Sequence, residues 1–277
     1  MADPAWTGNG RLHPLGAARS CHAAARLLLF LFLLPLWPNA ARAQGTLTNG
    51  WTHTGTIAPA GEADTWTFSA NTGDRLVIRV GEITTTNTFT PRIRLQNPSA
   101  VQVAVASSGV AAEITFTATN TGTHTVIVDN SVVSTATGAY RLTLAQAPGA
   151  ILVAPGDEGG PMTNGVAHVA DLPPGDLDVW SFTASAGESL VVKVGQITQT
   201  NNFAPWVRLY GPDGALLGGD FAATAAEVTT RATNSGTFLV VIANDPYYSD
   251  AASGTYLLTW PKLAARSWCR RATMGGR

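Results

Sequence analysis

Hydrophobic and polar residues alternate along most of the chain in short runs. Trp66 and Phe68, for example, are separated by Thr67, and the same period of two returns over Leu76–Val80 and Tyr140–Leu144. Gly, Asn, Pro or Asp residues bound each run and favour turns. A period of two places alternate side chains on opposite faces of a β-strand. The pattern predicts an all-β chain without helices.

The alternating region contains an internal repeat. Residues 66–130 align with residues 180–244 at a shift of 114 positions, with 28 identities in 65 positions. A match of this extent indicates a duplicated module. Each copy holds about eight short runs, and strands at such spacing are typical of an antiparallel β-sandwich.

The repeat predicts two tandem domains, at 45–146 and 160–261. The segment between them, 147–159, is rich in Pro and Gly and is predicted to be a linker. It also contains the apolar residues Ile151–Val153, so an additional edge strand remains an alternative for part of it.

The amino-terminal end resembles an export signal. The apolar segment Leu27–Trp37 follows two arginines, and Ala41–Ala43 has the A-x-A form of a cleavage site. Residues 1–43 are therefore predicted to be a signal peptide with a long first region, cleaved near Gln44. Its eleven apolar residues are too few to cross a bilayer. We expect a secreted or periplasmic protein with no membrane span in the mature chain.

The carboxy-terminal end, 262–277, abandons the alternation and carries five basic and no acidic residues. It is predicted to be a disordered basic tail. Two interpretations are open, a surface-binding tail or the out-of-frame end of a longer gene. Of the two cysteines, Cys21 precedes the cleavage site and Cys269 lies in this tail, so no disulfide framework is expected.

Charge narrows the range of partners. Residues 44–261 contain 8 basic and 17 acidic residues, a balance of −9. Nucleic-acid binding needs clustered Lys and Arg, so this balance argues against it. The excess of carboxylates leaves calcium as a candidate ligand.

The second copy contains the short motifs Asp176–Phe182, Ala186–Leu190, Val207–Gly214, Ser235–Phe238 and Gly254–Leu258. These motifs resemble those of a known family, the bacterial pre-peptidase C-terminal domain. The resemblance implies a jelly-roll-like sandwich, similar to the collagen-binding domains of secreted collagenases. Its members typically accompany a secreted peptidase and assist its secretion or localisation. The motifs specify core and turn residues, so they describe the fold better than the function.

The residue types that catalysis requires do not form a recognisable motif. His53, His124 and His168 are isolated, without the spacing of a zinc site. No G-x-S-x-G sequence occurs either. We therefore predict that the chain is not an enzyme.

Calcium is the first candidate ligand. Asp176 and Asp178 lie two residues apart, with Asp171 close before them, and Glu62 and Asp64 are their counterparts in the first copy. The family resemblance implies calcium near this region, because relatives that bind calcium hold it there. The alternative is a turn in which Asp side chains hold the backbone.

An aromatic surface is the second candidate. Alternation places Trp206, Arg208 and Tyr210 on the outer side of one strand, where they would form a platform for an extended polypeptide or a polysaccharide. Tyr247 and Tyr248, in a later loop, could extend it. The alternative is that these residues pack against the first copy.

Two similar loops precede this strand and its counterpart, at 84–89 and 198–203. They could form a ligand loop around Asn87 and Asn201. The alternative is a structural crossover in which Phe89 and Phe203 fill the core.

Two functional classes follow from these observations. The first is a secreted, monomeric, non-catalytic module that binds an extracellular polymer or protein, such as a collagen-like chain or a polysaccharide. The second is a structural or secretion-assisting part of a larger peptidase, of which this chain would be a truncated product.

Overall fold

The computed structural model describes residues 42–83, 89–132 and 136–261. Residues 1–41 of the predicted signal peptide, residues 84–88 around Asn87 and the predicted basic tail lie outside this range. The described residues form strands and turns without a helix, as predicted. Within them, no helix has the length and apolar character needed to cross a membrane.

Nine strands build the first sandwich, one more than the sequence pattern predicts. They are β1 Arg42–Thr46, β2 Thr52–Ile57, β3 Asp64–Ala70, β4 Arg75–Glu82, β5 Pro91–Gln96, β6 Gln102–Ser107, β7 Ala111–Thr117, β8 Gly122–Asn130 and β9 Gly138–Ala147.

Nine strands in the same succession build the second sandwich. They are β10 Gly159–Pro161, β11 Ala167–Leu172, β12 Leu177–Ala184, β13 Ser189–Thr200, β14 Pro205–Tyr210, β15 Leu216–Phe221, β16 Ala225–Arg231, β17 Gly236–Asn244 and β18 Ser253–Thr259.

Each sandwich consists of a five-stranded and a four-stranded sheet. The five-stranded sheets have the orders β1-β3-β8-β5-β6 and β10-β12-β17-β14-β15, and the four-stranded sheets have the orders β2-β9-β4-β7 and β11-β18-β13-β16. The prediction of two antiparallel sandwiches is confirmed, with one exception in each. The additional strands β1 and β10 pair in parallel with β3 and β12.

The alternation in sequence becomes an alternation in burial. In β5 the inward side chains of Ile93 and Leu95 are fully buried, and the residues between them are partly exposed. Fully burying a side chain of this size contributes roughly 1.5–3 kcal/mol. Each sandwich has a core of its own, filled from the inner faces of its two sheets.

The Phe residues of the two similar loops lie in these cores. Phe89 and Phe203 are buried, and each packs on a glycine at the start of the last strand of its sandwich, Gly138 or Gly254. A Cβ on either glycine would lie less than 3 Å from the ring. This confirms the core-filling alternative for both phenylalanines.

A third apolar cluster joins the two sandwiches. Val77 and Ala145, on the outer side of the first four-stranded sheet, pack against Val179, Tyr210 and Val241 on the outer side of the second five-stranded sheet. The two sandwiches are therefore packed directly against each other, and the linker is not their sole connection.

The predicted linker is held along this interface. Residues 151–153 form no strand, so that alternative is wrong. Leu152 N nevertheless donates a hydrogen bond of 2.9 Å to Asn49 O, and Ile151 packs against the apolar cluster between the sandwiches. Asn49 Nδ2 also donates to Gln146 O and Ala150 O. These bonds fix the path of the chain from one sandwich to the next.

Candidate functional site

Four aromatic side chains form a continuous cluster at one edge of the second sandwich. Trp206 contacts Phe221, which contacts Tyr248, which contacts Tyr247, with ring centroids 6.5, 6.5 and 6.0 Å apart. All three pairs meet edge to face, a favourable aromatic geometry. Tyr247 is 88% exposed and Phe221 is 48% exposed. We call these four residues the aromatic cluster.

The strand register explains why the cluster forms. Trp206 on β14 lies directly opposite Phe221 at the end of β15. Alternation turns Trp206 away from the core that Val207 and Leu209 enter. The loop after β17 then carries Tyr247 and Tyr248 to the same edge. Phe221 was not predicted as a member, because its counterpart in the first copy is Ser107 and β15 has no regular alternation.

Arg208 and Tyr210 do not form the exposed platform predicted from β14. Both side chains leave their own core, as alternation requires, but both are buried, at 3% exposure each, against the first sandwich. Tyr210 belongs to the apolar cluster between the sandwiches. The alternative of packing against the first copy is correct for these two residues. Periodicity predicts which side of a sheet a residue occupies. It does not predict whether solvent or a neighbouring domain contacts that side.

A buried charge cluster connects the sandwiches beneath Trp206. Glu113 on β7 accepts hydrogen bonds from Arg208 Nη1 at 2.6 Å and from Arg79 Nη1 at 3.0 Å. Burial alone would raise the pKa of Glu113, but Arg208 and Arg79 hold that pKa below its ordinary value. Arg208 Cζ lies 4.1 Å from the centroid of the Trp206 ring, which is a cation–π contact. Glu113 therefore positions the arginine on which Trp206 packs.

The tyrosine loop is also attached to the first sandwich. The carboxylate of Asp250 accepts hydrogen bonds from Ser108 Oγ and, at 2.9 Å, from Val110 N. Although burial opposes it, the Ser108 hydrogen bond lowers the pKa of Asp250. A cleft of about 470 Å³ lies beside these residues, lined on one side by Ser107 and Glu113 and on the other by Pro246 and Asp250. The first sandwich therefore forms one wall of this cleft, and the loop that carries Tyr247 and Tyr248 forms the other.

The second candidate site is a group of carboxylates on the second sandwich. Asp157, Glu158 and Asp178 place carboxylate oxygens within 4.8 Å of one another. Asp178 is the second residue of β12 and is 1% exposed, and its Oδ1 has no hydrogen-bond partner. Burial raises the pKa of Asp178 well above its ordinary value, and Asp176 adds to that shift. Burial, with Asp157 next, also raises the pKa of Glu158.

The first sandwich shows how such an aspartate is satisfied without a cation. Asp64, the counterpart of Asp178, accepts a hydrogen bond from Tyr140 through Oδ2, and Tyr256 donates in the same way to Asp178 Oδ2. Asp64 Oδ1 also accepts from Gln44 Nε2 at 2.7 Å. In the second sandwich two further carboxylates lie near the corresponding oxygen. An orphaned buried carboxylate oxygen beside two acids fits the oxygen ligands that Ca²⁺ requires.

The three predicted calcium ligands therefore differ in their surroundings. Asp178 is in the carboxylate group. Asp176 accepts from Thr52 at 3.4 Å and lies 3.5 Å from Arg141 Nη1, both in the first sandwich. Asp171 accepts from Thr255 Oγ1 at 2.7 Å and is outside the group.

Asp157 and Glu158 were missed because they lie in the predicted linker, about 20 residues before Asp178. The parallel pairing of β10 with β12 brings Glu158 and Asp178 together. The one signal in the sequence is that these adjacent acids directly precede two glycines, Gly159 and Gly160.

A comparison of sequences finds a match to one protein family. Residues 62–130 match the sequence model of the bacterial pre-peptidase C-terminal domain. No curated protein matches the chain in sequence.

Several solved structures are similar to the chain. One is the pre-peptidase C-terminal domain of a collagenase from Bacillus anthracis, with 21% identity over 39% of this chain and 96% of that chain, at a TM-score of 0.31. Another is the M60 catalytic domain with the CBM51-1 and CBM51-2 domains of ZmpB from Clostridium perfringens. It has 8% identity over 71% of this chain and 33% of that chain, at a TM-score of 0.24.

The matched segment begins at Glu62, just before β3, and ends with β8. The second sandwich is related to this segment by the internal repeat. Residues 62–130 of this chain, which include β3 to β8 of the first sandwich, therefore carry the sequence pattern of the bacterial pre-peptidase C-terminal domain.

Proposed function

We propose that the chain is a non-catalytic accessory module that works outside the cell, and that its second sandwich binds an extracellular polymer through the aromatic cluster. The observation that carries the proposal is the cluster itself, in which exposed rings from two strands and one loop lie on one edge. Aromatic rings contribute large contact areas at low conformational cost and often anchor binding surfaces.

The buried charges support a fixed arrangement of the cluster. Glu113 holds Arg208 beneath Trp206, and Ser108 holds Asp250, two residues after Tyr248, so residues next to the cluster are attached to a packed interface. A surface that is already ordered loses less conformational freedom when a ligand binds. The first sandwich carries Arg92 and Ser107 at the positions of Trp206 and Phe221, so polymer binding is assigned to the second sandwich alone.

The test is retention of the full chain on insoluble collagen, cellulose and chitin. The variants Trp206→Ala and Tyr247→Ala should each weaken retention on the matrix that the parent binds, by about tenfold or more, because removing an anchoring ring costs about 2 kcal/mol. Leu216→Ala is the matched control, since Leu216 is 50% exposed on β15, the strand that ends with Phe221.

The outcomes separate the two functional classes. Loss of retention in the two aromatic variants, with Leu216→Ala unchanged, supports the polymer-binding module. Retention that is equal in all variants on every matrix would overturn the aromatic cluster as the binding site. An absence of retention by the parent on all three matrices would favour a structural or secretion-assisting role.

Calcium binding at Asp157, Glu158 and Asp178 is the second part of this proposal. A divalent cation there would supply charge compensation for the buried Asp178 carboxylate. It would also attach the start of the second sandwich to β12, because two of the carboxylates precede β10. What supports this assignment is the unpartnered Asp178 Oδ1.

A further inference from the structure

The face by which the first sandwich packs on the second has an exposed counterpart. We call the first surface the docking face; it is the outer side of the β2-β9-β4-β7 sheet around Arg79, Gly81 and Glu113. At the corresponding positions the second sandwich carries Lys193, Gly195 and Glu227, on the outer side of the β11-β18-β13-β16 sheet. We call this second surface the free face.

The charged pair of the docking face is reproduced on the free face. Arg79 and Glu113 pair at 3.0 Å, and both are buried by the second sandwich. Lys193 and Glu227 pair at 2.8 Å across the corresponding strands, with side chains 54% and 45% exposed. Among the described residues, the free face has no counterpart of Arg208, the third charge that completes the buried cluster.

The glycine of the docking face is reproduced as well. Gly81 packs on the turn before β12, and a Cβ at Gly81 would lie 2.4 Å from Pro174 O and 2.5 Å from Gly175 Cα. At Gly195 no heavy atom of the described chain lies within 4 Å of the position that a Cβ would take. A slot of the same kind is thus open on the free face.

The free face is also more apolar than the docking face. Val169 and Leu257 lie side by side in the same row as Gly195, and they are 59% and 37% exposed. Their counterparts on the docking face are Thr54 and Arg141. Large exposed apolar patches with polar rims mark interaction sites, and these two residues add apolar contact area next to the charged pair.

The opposite end of the molecule offers the complementary features. Arg94, on the outer side of β5, is the counterpart of Arg208, and the turn at Gly61 is the counterpart of the turn at Gly175. Both glycines have the positive φ of a tight turn, +80° and +72°. Arg92 and Arg94 share Asp129 at 2.6 Å each, which leaves one positive charge in excess. We call this outer side of β5 and β8 the arginine face.

We propose that copies of this chain associate head to tail, with the arginine face of one copy on the free face of the next. The contact repeats the packing that already joins the two sandwiches within one chain. Arg94 would approach Glu227 as Arg208 approaches Glu113, and the Gly61 turn would lie over Gly195. Such a heterologous contact leads to a ring or an open filament, in place of the monomer expected from the sequence.

Association through this contact should be weak. The arginine face has Thr125 and Asp129 where the second sandwich has Leu239 and Ala243, so it supplies less apolar area than the internal interface. Sedimentation equilibrium from ~10 µM to ~1 mM covers the affinities of small polar contacts. We expect the average mass to rise with concentration and to fall with added salt, because the charges are screened.

Charge-reversal variants test whether the free face and the arginine face contact each other. Glu227→Arg and Arg94→Glu should each remain monomeric alone, because like charges then meet across the contact. An equimolar mixture of the two should associate again, because each reversed charge then meets an opposite one. Leu216→Glu, on the sheet opposite the free face, is the control and should associate like the parent. Circular dichroism spectra like that of the parent verify the fold of each variant.

Three results would overturn the proposal. The first is a parent that stays monomeric over the whole range. The second is association that persists in Arg94→Glu, which would indicate a contact between two free faces instead. The third is a mixture of the two reversed variants that remains monomeric. Restored association in the mixture, with neither variant associating alone, supports the head-to-tail contact.

Discussion

Asp64 and Asp178 occupy equivalent positions and differ in what surrounds them. Each accepts a hydrogen bond from a buried tyrosine that in turn accepts one from a tryptophan, Trp66 or Trp180. Gln44 completes the first site, whereas the second contains two more acids. A duplicated module has thus kept one buried hydrogen-bond chain and changed the group at its end.

This difference predicts that calcium stabilises the protein through the Asp178 site and not through the Asp64 site. Calcium should raise the midpoint of thermal unfolding, by about 2–4 °C for each kcal/mol of binding free energy. Asp178→Asn should abolish the rise, because the buried carboxylate is lost. Asp64→Asn is the matched control and should keep it. Calorimetry with calcium or with chelator measures the effect, and a full rise in Asp178→Asn would contradict the assignment.

Two histidines should make the stability of the fold depend on pH. His53 Nε2 accepts a hydrogen bond from Thr48 N at 3.1 Å, and His168 Nε2 accepts one from Thr163 N at 3.3 Å. Burial lowers the pKa of both imidazoles from the ordinary 6.5. The unfolded chain therefore binds more protons than the folded one as the pH falls through about 6.5, and stability is lost in that range.

The measurement is urea unfolding at pH 7 and pH 5. The double variant His53→Gln and His168→Gln keeps a side-chain acceptor but does not titrate, so the loss of stability between these two values should be smaller than in the parent. Equal losses in the two proteins would show that the histidines do not contribute.

Strand β14 shows how far the sequence predicts an element. Alternation correctly predicts that Val207 enters the core and that Trp206, Arg208 and Tyr210 point away from it. It does not predict that Arg208 and Tyr210 meet another sheet while Trp206 remains partly exposed. That outcome depends on contacts between strands that are distant in sequence, and the alternation within one strand carries no information about such contacts.

Strands β1 and β10 show the opposite case. They are short, contain glycine and have no regular alternation, so neither was predicted. Each lies at the edge of its five-stranded sheet and pairs in parallel with the neighbouring strand, β3 or β12. The acids Asp157 and Glu158 reach Asp178 through this pairing, so the strand and the two acids were missed for the same reason.

The buried Glu113 on the docking face and its exposed counterpart Glu227 on the free face permit a matched comparison. Glu113→Gln leaves the buried guanidinium groups of Arg79 and Arg208 without their carboxylate and should destabilise the protein by about 3–5 kcal/mol. Glu227→Gln changes the corresponding exposed pair with Lys193 and should have a much smaller effect, because water and salt screen an exposed ion pair. Urea unfolding at low protein concentration measures both. Equal effects would contradict the burial of the Glu113 cluster.

At the scale of the molecule, the packing of one sandwich on the other matters most. The repeat predicts two modules but does not predict which faces of the modules pack together. The structure joins them by an apolar cluster, by the Glu113 charges and by the ion pair of Arg141 with Asp176. The proposed polymer site depends on this interface, and the proposed head-to-tail contact copies it.

The central claim is therefore that two copies of one module form a single unit through a buried interface. Differential scanning calorimetry of the full chain tests it most directly. We predict one unfolding transition, with van 't Hoff and calorimetric enthalpies in a ratio of about one, and we expect Glu113→Gln to broaden or split it. Two separate transitions in the parent, with Glu113→Gln shifting only the one that belongs to the first sandwich, would contradict the claim.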